Sequence, residues 1–185
     1  MQIEEAGIQG CFIIQDDIFE DTRGYFFESF NKETFRKLTG LQIDFVQDNQ
    51  SHSKKNVLRG LHFQRGEYAQ AKLVRVLQGT VLDIAVDLRK ESTTFGKYLA
   101  IELSAENRKQ LFIPRGFAHG FVVLSETADF FYKCDQYYNK ASECGLQYND
   151  RGIAIDWKVD AQQLIINEKD LQNFSLKDLV QKNLL

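Results

Sequence analysis

From Ala71 the chain reads AKLVRVLQGTVLDIAVDLR, and its second half alternates with period two. Leu82, Ile84, Val86 and Leu88 fall on one side of an extended backbone, and Val81, Asp83, Ala85 and Asp87 on the other. Only a strand with both faces in use satisfies that pattern, because successive side chains of a strand point to opposite sides. Gln78-Gly79 between the halves reads as a two-residue hairpin turn. In that register Leu77 pairs with Thr80 and Val74 with Asp83, so Lys72, Val74, Asp83 and Ala85 share a face. A lysine and an aspartate on one face form either a satisfied ion pair or part of a polar site, and hairpin geometry leaves both open. Further short runs read as strands: GCFIIQ, YFFESF, IDFVQDN, VLRGLHF, YLAIEL, KQLFIP, AHGFVVL and ADFFYKC. Helical patterns are confined to Lys32–Leu38 and the region after Glu168. About ten short strands make an all-β chain, folded as an antiparallel sandwich or barrel with short peripheral helices. With 185 residues, one domain over 1–185 is expected, residues 175–185 being a C-terminal helical extension.

Charge excludes several classes of function. Lysine and arginine number 23 against 26 acids, a formal net charge of -3, so there is no basic excess for nucleic acid or an anionic membrane. Any bound anion has to be met by locally placed cations. No apolar run approaches the length of a membrane span. The first residues, MQIEEAGIQG, lack the basic start and apolar core of a secretory signal, so the mature chain is expected to begin there and to be cytoplasmic. Cys11, Cys134 and Cys144 are odd in number and widely spaced, which indicates reduced thiols rather than disulfides or a zinc knuckle.

Three segments place unusual polar residues among strands. In QDNQSHSKKNVLRGLHFQ, strand alternation turns Leu61 and Phe63 to one side and His62 to the other. An imidazole facing a cavity is suited to general base catalysis at neutral pH, and the competing reading is a core histidine bonded to a backbone carbonyl. His52, in a polar stretch, reads as a loop residue. In FIPRGFAHGF the string PRGFAH fits the second cupin signature, P-x-G-x-x-H, in which a turn delivers a histidine to the mouth of a small jelly roll. Metal-binding cupins carry a paired histidine in the first motif, whereas LHFQ has one histidine without a partner two residues on, so no metal is expected. In ADFFYKCDQYY, Phe130, Tyr132 and Cys134 share a face, and a tyrosine there either donates its phenolic proton to a ligand or is core with its hydroxyl satisfied.

Taken together, FEDTRGYFFESF, QDNQS, LRGLHFQ, QAKLVRVLQGTVLDIAVDLR, FGKY, FIPRGFAHGFVVLSETADFFYKCDQYYNKASECG and NEKD resemble the dTDP-4-dehydrorhamnose 3,5-epimerases, in the family's order from Phe19 to Asp170. The resemblance implies a cupin-type double-stranded β-helix, a jelly roll. It also implies an isomerase that epimerises C3 and C5 of dTDP-4-dehydro-6-deoxy-α-D-glucose, or a relative acting at one carbon, without a cofactor. It matches His62 to the general base, Tyr132 to the general acid, Asp170 to the carboxylate paired with the base, and Lys72 to the cation beside the enolate. Arg23, Glu28, Gln47, Asn49, Arg59, His119, Glu143 and Lys169 match substrate-binding positions, with Arg59 and His119 facing the diphosphate, and Tyr138 matches the ring that stacks on thymine. The family is dimeric and borrows site residues across the interface, which would suit Arg23 and Glu28 on an N-terminal strand able to cross over. Asn167 stands where relatives often carry serine.

Overall fold

The computed structural model describes residues 1–185, and two sheets dominate it. In chain order the strands are β1 (Gln2–Glu5), β2 (Phe12–Gln15), β3 (Phe19–Asp21), β4 (Gly24–Phe26), β5 (Gln47–Lys54), β6 (Val57–Gln64) and β7 (Lys72–Gln78). They continue as β8 (Thr80–Asp87), β9 (Tyr98–Ser104), β10 (Gln110–Ile113), β11 (Phe117–Val123), β12 (Thr127–Cys134), β13 (Glu143–Gly145) and β14 (Ile165–Ile166). The helices are short: α1 (Lys32–Thr39), α2 (Glu168–Leu171) and α3 (Leu176–Gln181). None is long and apolar enough to cross a membrane. The first sheet runs β1-β2-β10-β7-β12-β5 and the second β13-β6-β11-β8-β9, with β14 beside β6 as the one parallel pair.

The alternation read in β8 is real, and each side of it enters a different core. Val81 and Ala85 join Val74, Val76, Leu111, Phe121 and Phe130 between the sheets. Leu82, Ile84, Val86 and Leu88 face outward, under Ile153, Trp157 and Leu179 of the C-terminal segment. A third cluster, centred on Phe35 and Phe112, lies between α1 and the outer face of the first sheet. Burial of a sheet on both faces explains why β11 has no exposed position.

The expected β7–β8 hairpin does not form. β7 pairs with β10 and β12, whereas β8 pairs with β9 and β11, so the chain changes sheets at Gly79. Gly79 has φ 77°, and a Cβ there would lie 2.1 Å from the Thr127 carbonyl oxygen, so only glycine makes this corner. Lys72, Val74, Asp83 and Ala85 still point inward, but from opposite sheets. Two other expectations shift. The strand expected over IDFVQDN lies over the polar Gln47–Lys54, so His52 is on an edge strand rather than a loop, with Nδ1 2.8 Å from Asp129. YFFESF yields only the tip strand of a small β3–β4 hairpin, paired with neither main sheet.

Pro114 precedes the turn into β11, and beside that turn the loop after β8 is held by Asp87, a fully buried carboxylate. Asp87 accepts from Arg89 Nε (2.9 Å) and Nη2 (2.7 Å), Ser92 Oγ (2.6 Å) and Thr94 Oγ1 (2.7 Å), and the Arg89 side chain packs against Gly116. Burial alone would raise this carboxyl, but the donors outweigh it and hold it down to about 2. A depressed carboxylate stabilises the fold above its unfolded value, about 3.9, and loses that contribution as pH falls through the folded value. The stability gap between wild type and Asp87→Asn, read from denaturant unfolding, is therefore expected to be widest above about pH 4 and to narrow towards pH 2. A gap independent of pH would contradict the assignment.

Candidate active site

A cavity of about 630 Å³ opens between the two sheets. Its second-sheet wall is built on β6 and β11, where strict alternation would place Arg59 and His62, three apart, on opposite faces. The ladder instead pairs His119 with His62 and Phe121 with Arg59, two steps against three, so one residue of β6 is bulged and both side chains reach the cavity. Gly60 lies in this bulge with φ 129°. A Cβ on Gly60 would lie 2.6 Å from Gly120 Cα, and one on Gly120 would lie 2.6 Å from the Arg59 carbonyl oxygen. Two glycines therefore allow the close approach that sets both Arg59 and His62.

His62 Nε2 is 2.7 Å from Asp170 Oδ1, across 108 positions of sequence, and Asp170 Oδ2 accepts the Gly60 N–H at 3.2 Å. Asp170 is buried on α2, whose first turn is capped by Asn167 Oδ1 accepting the Lys169 N–H at 3.0 Å. Burial alone would raise Asp170, but the hydrogen bond and charge of His62, the Gly60 N–H and Lys169 outweigh it and hold the carboxyl below its usual value. A carboxylate only accepts, so Nε2 carries the hydrogen and the neutral imidazole keeps its lone pair on Nδ1. In that tautomer Nδ1 can accept a proton.

The first sheet supplies the facing wall. Tyr132 on β12 stands between Asn49 of β5 and Val74 of β7 and turns inward into the cavity. Burial pushes its phenol up to about 12, so the hydroxyl keeps its proton at neutral pH. Lys72, at the start of β7, lines the same wall with Nζ 5.9 Å from the Tyr132 ring centroid. Burial lowers its ammonium from the usual value, opposed in part by the charges of Asp83 and Glu143. Lys72 and Asp83 form no ion pair. The buried Asp83 uses Oδ2 on His119 Nε2, at 2.9 Å, and Oδ1 has no partner. His119 is itself buried in the wall, stacked near Phe130, rather than free at a mouth, and burial holds its imidazole below its usual value.

At the rim, Arg59 reaches from the second sheet to the first, donating from Nε to Ser53 Oγ at 2.9 Å and from Nη2 to the His52 carbonyl at 3.3 Å. Glu143 Oε2 accepts from Lys169 Nζ at 2.6 Å and from the Tyr138 hydroxyl at 2.9 Å, and all three line the cavity. Asn49 lines it too, but Gln47 does not: its carboxamide is engaged by Asn49 and by the Tyr138 N–H.

Arg23 and Glu28 also lie outside the cavity of this chain. Arg23 occupies the β3–β4 turn, bonded to Asp21 at 2.5 Å, and Glu28 is exposed in the irregular segment after β4, not on a strand. That hairpin exposes Phe19, Tyr25 and Phe26 at 66, 57 and 69%. Gln64 and Gln70 line the cavity without having been expected to, because nothing in a lone glutamine distinguishes a wall position from any other. No group of three or more histidine, cysteine or acidic side chains is placed to hold a metal ion.

The model of the family dTDP-4-dehydrorhamnose 3,5-epimerase matches residues 5–178. The dTDP-4-dehydrorhamnose 3,5-epimerase of Escherichia coli K12 is 50% identical over 185 residues, the whole of both chains. The crystal structure of the enzyme of that name from Elizabethkingia anophelis superposes with a TM-score of 0.94 at 54% identity, covering 96% of this chain and 97% of that one. A dTDP-6-deoxy-D-glucose-3,5-epimerase from Legionella pneumophila, solved with dTDP-4-keto-L-rhamnose bound, gives 0.94 at 46% identity, covering 100% of this chain and 96% of that one. The jelly-roll sandwich, the order of the motifs and these likenesses agree: the chain is an epimerase and belongs to the dTDP-4-dehydrorhamnose 3,5-epimerase family.

Proposed function

We propose that this chain epimerises C3 and C5 of dTDP-4-dehydro-6-deoxy-α-D-glucose to give dTDP-4-dehydro-β-L-rhamnose, with His62 as base and Tyr132 as acid. The observation that carries the reading is the placement of an aspartate-oriented imidazole and a proton-bearing phenol on opposite walls of one cavity. The C4 carbonyl of such a substrate acidifies the hydrogens on both neighbouring carbons. His62 takes one of them, the electron pair of the broken C–H bond moves into an enolate, and Tyr132 returns a proton to the same carbon from the other face. Solvent restores both residues, and the cycle repeats at the second carbon.

Lys72 stabilises the enolate oxygen, a contribution of the oxyanion-hole kind. Replacing Lys72 by methionine, which keeps the length and removes the charge, is expected to lower kcat by about 10²-fold with a smaller change in KM. An unchanged kcat would remove Lys72 from the chemistry. Arg59 meets the diphosphate as the local cation that a chain of net charge -3 requires, with His119 beside it, and Lys169 is a further substrate-binding residue. Tyr138 stacks on the base, with Asn49 and Glu143 beside it.

The enzyme acts as a cytoplasmic homodimer. Arg23 and Glu28 stand on an arm with exposed aromatic residues, away from their own cavity, which favours their serving the partner's site. Substrate incubated with the enzyme in deuterium oxide tests the reaction. Product labelled at both C3 and C5 is the expected result. Label at one carbon identifies a single-carbon epimerase instead, and label at neither rejects epimerisation.

A further inference from the structure

Residues 137–139 belong to no helix or strand, yet they carry Tyr138, whose ring is 53% exposed at the cavity rim. The backbone of this stretch and of Gln136 before it is held by three glutamines distant in sequence. Gln64 Nε2, from the end of β6, donates to the Tyr137 carbonyl at 3.2 Å and also to the Tyr68 carbonyl at 3.2 Å, while its Oε1 accepts the Asn139 N–H at 2.7 Å. Gln47 Oε1, from β5 of the other sheet, accepts the Tyr138 N–H at 3.0 Å. Gln70 Nε2 donates to the Gln136 carbonyl at 2.7 Å. Four backbone groups on four consecutive residues are thus taken by side-chain carboxamides, and the Tyr138 hydroxyl is tied separately to Glu143. A carboxamide offers both a donor and an acceptor, which is why Gln64 can hold the carbonyl of Tyr137 and the N–H of Asn139 together.

We propose that Gln47, Gln64 and Gln70 are positioning residues that clamp the Tyr138 loop from both sheets and pre-set its ring for the base of the nucleotide. The inference rests on the reading above that Tyr138 is the stacking ring. A loop ordered before binding loses less freedom when the ligand arrives, so the clamp acts on affinity at the nucleotide end rather than on proton transfer. It also accounts for Gln47: its effect on the ligand passes through Tyr138 and Asn49 instead of direct contact.

The test is a double-mutant cycle on dTDP binding by calorimetry. Tyr138→Ala is expected to weaken dTDP by at least tenfold. Gln64→Ala is expected to weaken it by about tenfold in the wild-type background and by less than twofold in the Tyr138→Ala background, with KM rising more than kcat falls. Gln70→Ala, which removes one bond at the loop's edge, repeats the pattern at smaller amplitude and decides the matter where Gln64→Ala melts early. Equal losses in both backgrounds, or no loss in a folded Gln64→Ala or Gln70→Ala protein, overturn the clamp. Unchanged dTDP affinity in Tyr138→Ala overturns the stacking role itself, a result distinguishable from failure of the clamp alone.

Discussion

Replacing His62 by asparagine is expected to lower kcat/KM by about 10³- to 10⁴-fold, the upper part of the range for a general base. The change keeps a polar side chain that can still donate to Asp170 and removes the Nδ1 lone pair that takes the substrate proton in the proposed reaction. Asp170 stays fixed on α2 by the Gly60 N–H and the retained asparagine donor, and is not expected to take over as base. Binding of dTDP is expected to change by less than threefold, since the nucleotide end is met by other residues. Steady-state kinetics and calorimetry on the same preparation separate the two effects. A variant retaining a tenth of wild-type activity would mean that another group abstracts the proton.

The second large effect concerns Tyr132 and differs in kind. Tyr132→Phe keeps the ring, its packing with Phe130 and its place beside Lys72, and loses only the phenolic proton. With burial holding the phenol up to about 12, proton donation to a carbanion is the role its environment favours, and ionisation at neutral pH is not. Product formation is therefore expected to fall by about 10³-fold. Proton abstraction by His62 persists, so the variant should still exchange substrate hydrogens with solvent while failing to invert them.

How far the amino-acid sequence reveals this arrangement depends on the kind of contact. Alternation in Leu82–Leu88 is a local property, so the strands and the faces of β8 and β12 were legible. Pairing is not local. The Gln78-Gly79 dipeptide fits a hairpin, and only the crossing of Gly79 against Thr127 shows that the chain changes sheets there. Polar β5 escapes an apolar pattern for another reason: its inward positions, Asn49 and Ser51, line the cavity rather than fill a core. The site divides in the same way. His62, Tyr132 and Lys72 sit on strands whose inward face could be read, or matched by motif. The joint exposure of Arg59 and His62 depends on a bulge, and the His62–Asp170 pair closes across 108 positions, which no spacing rule anticipates. Asp83 was expected beside Lys72 and instead holds His119, because the two strands that were to carry them as neighbours face one another from different sheets.

The proposed reaction needs two proton-transfer groups acting from opposite walls, and Tyr132→Phe in deuterium oxide tests that most directly. Substrate recovered from the reaction and examined by NMR and mass spectrometry should carry deuterium at the carbons next to the carbonyl with their original configuration, and little inverted product should form. Inverted product at a rate near that of the wild type would show that the opposite face is protonated by something other than Tyr132, and would contradict the account.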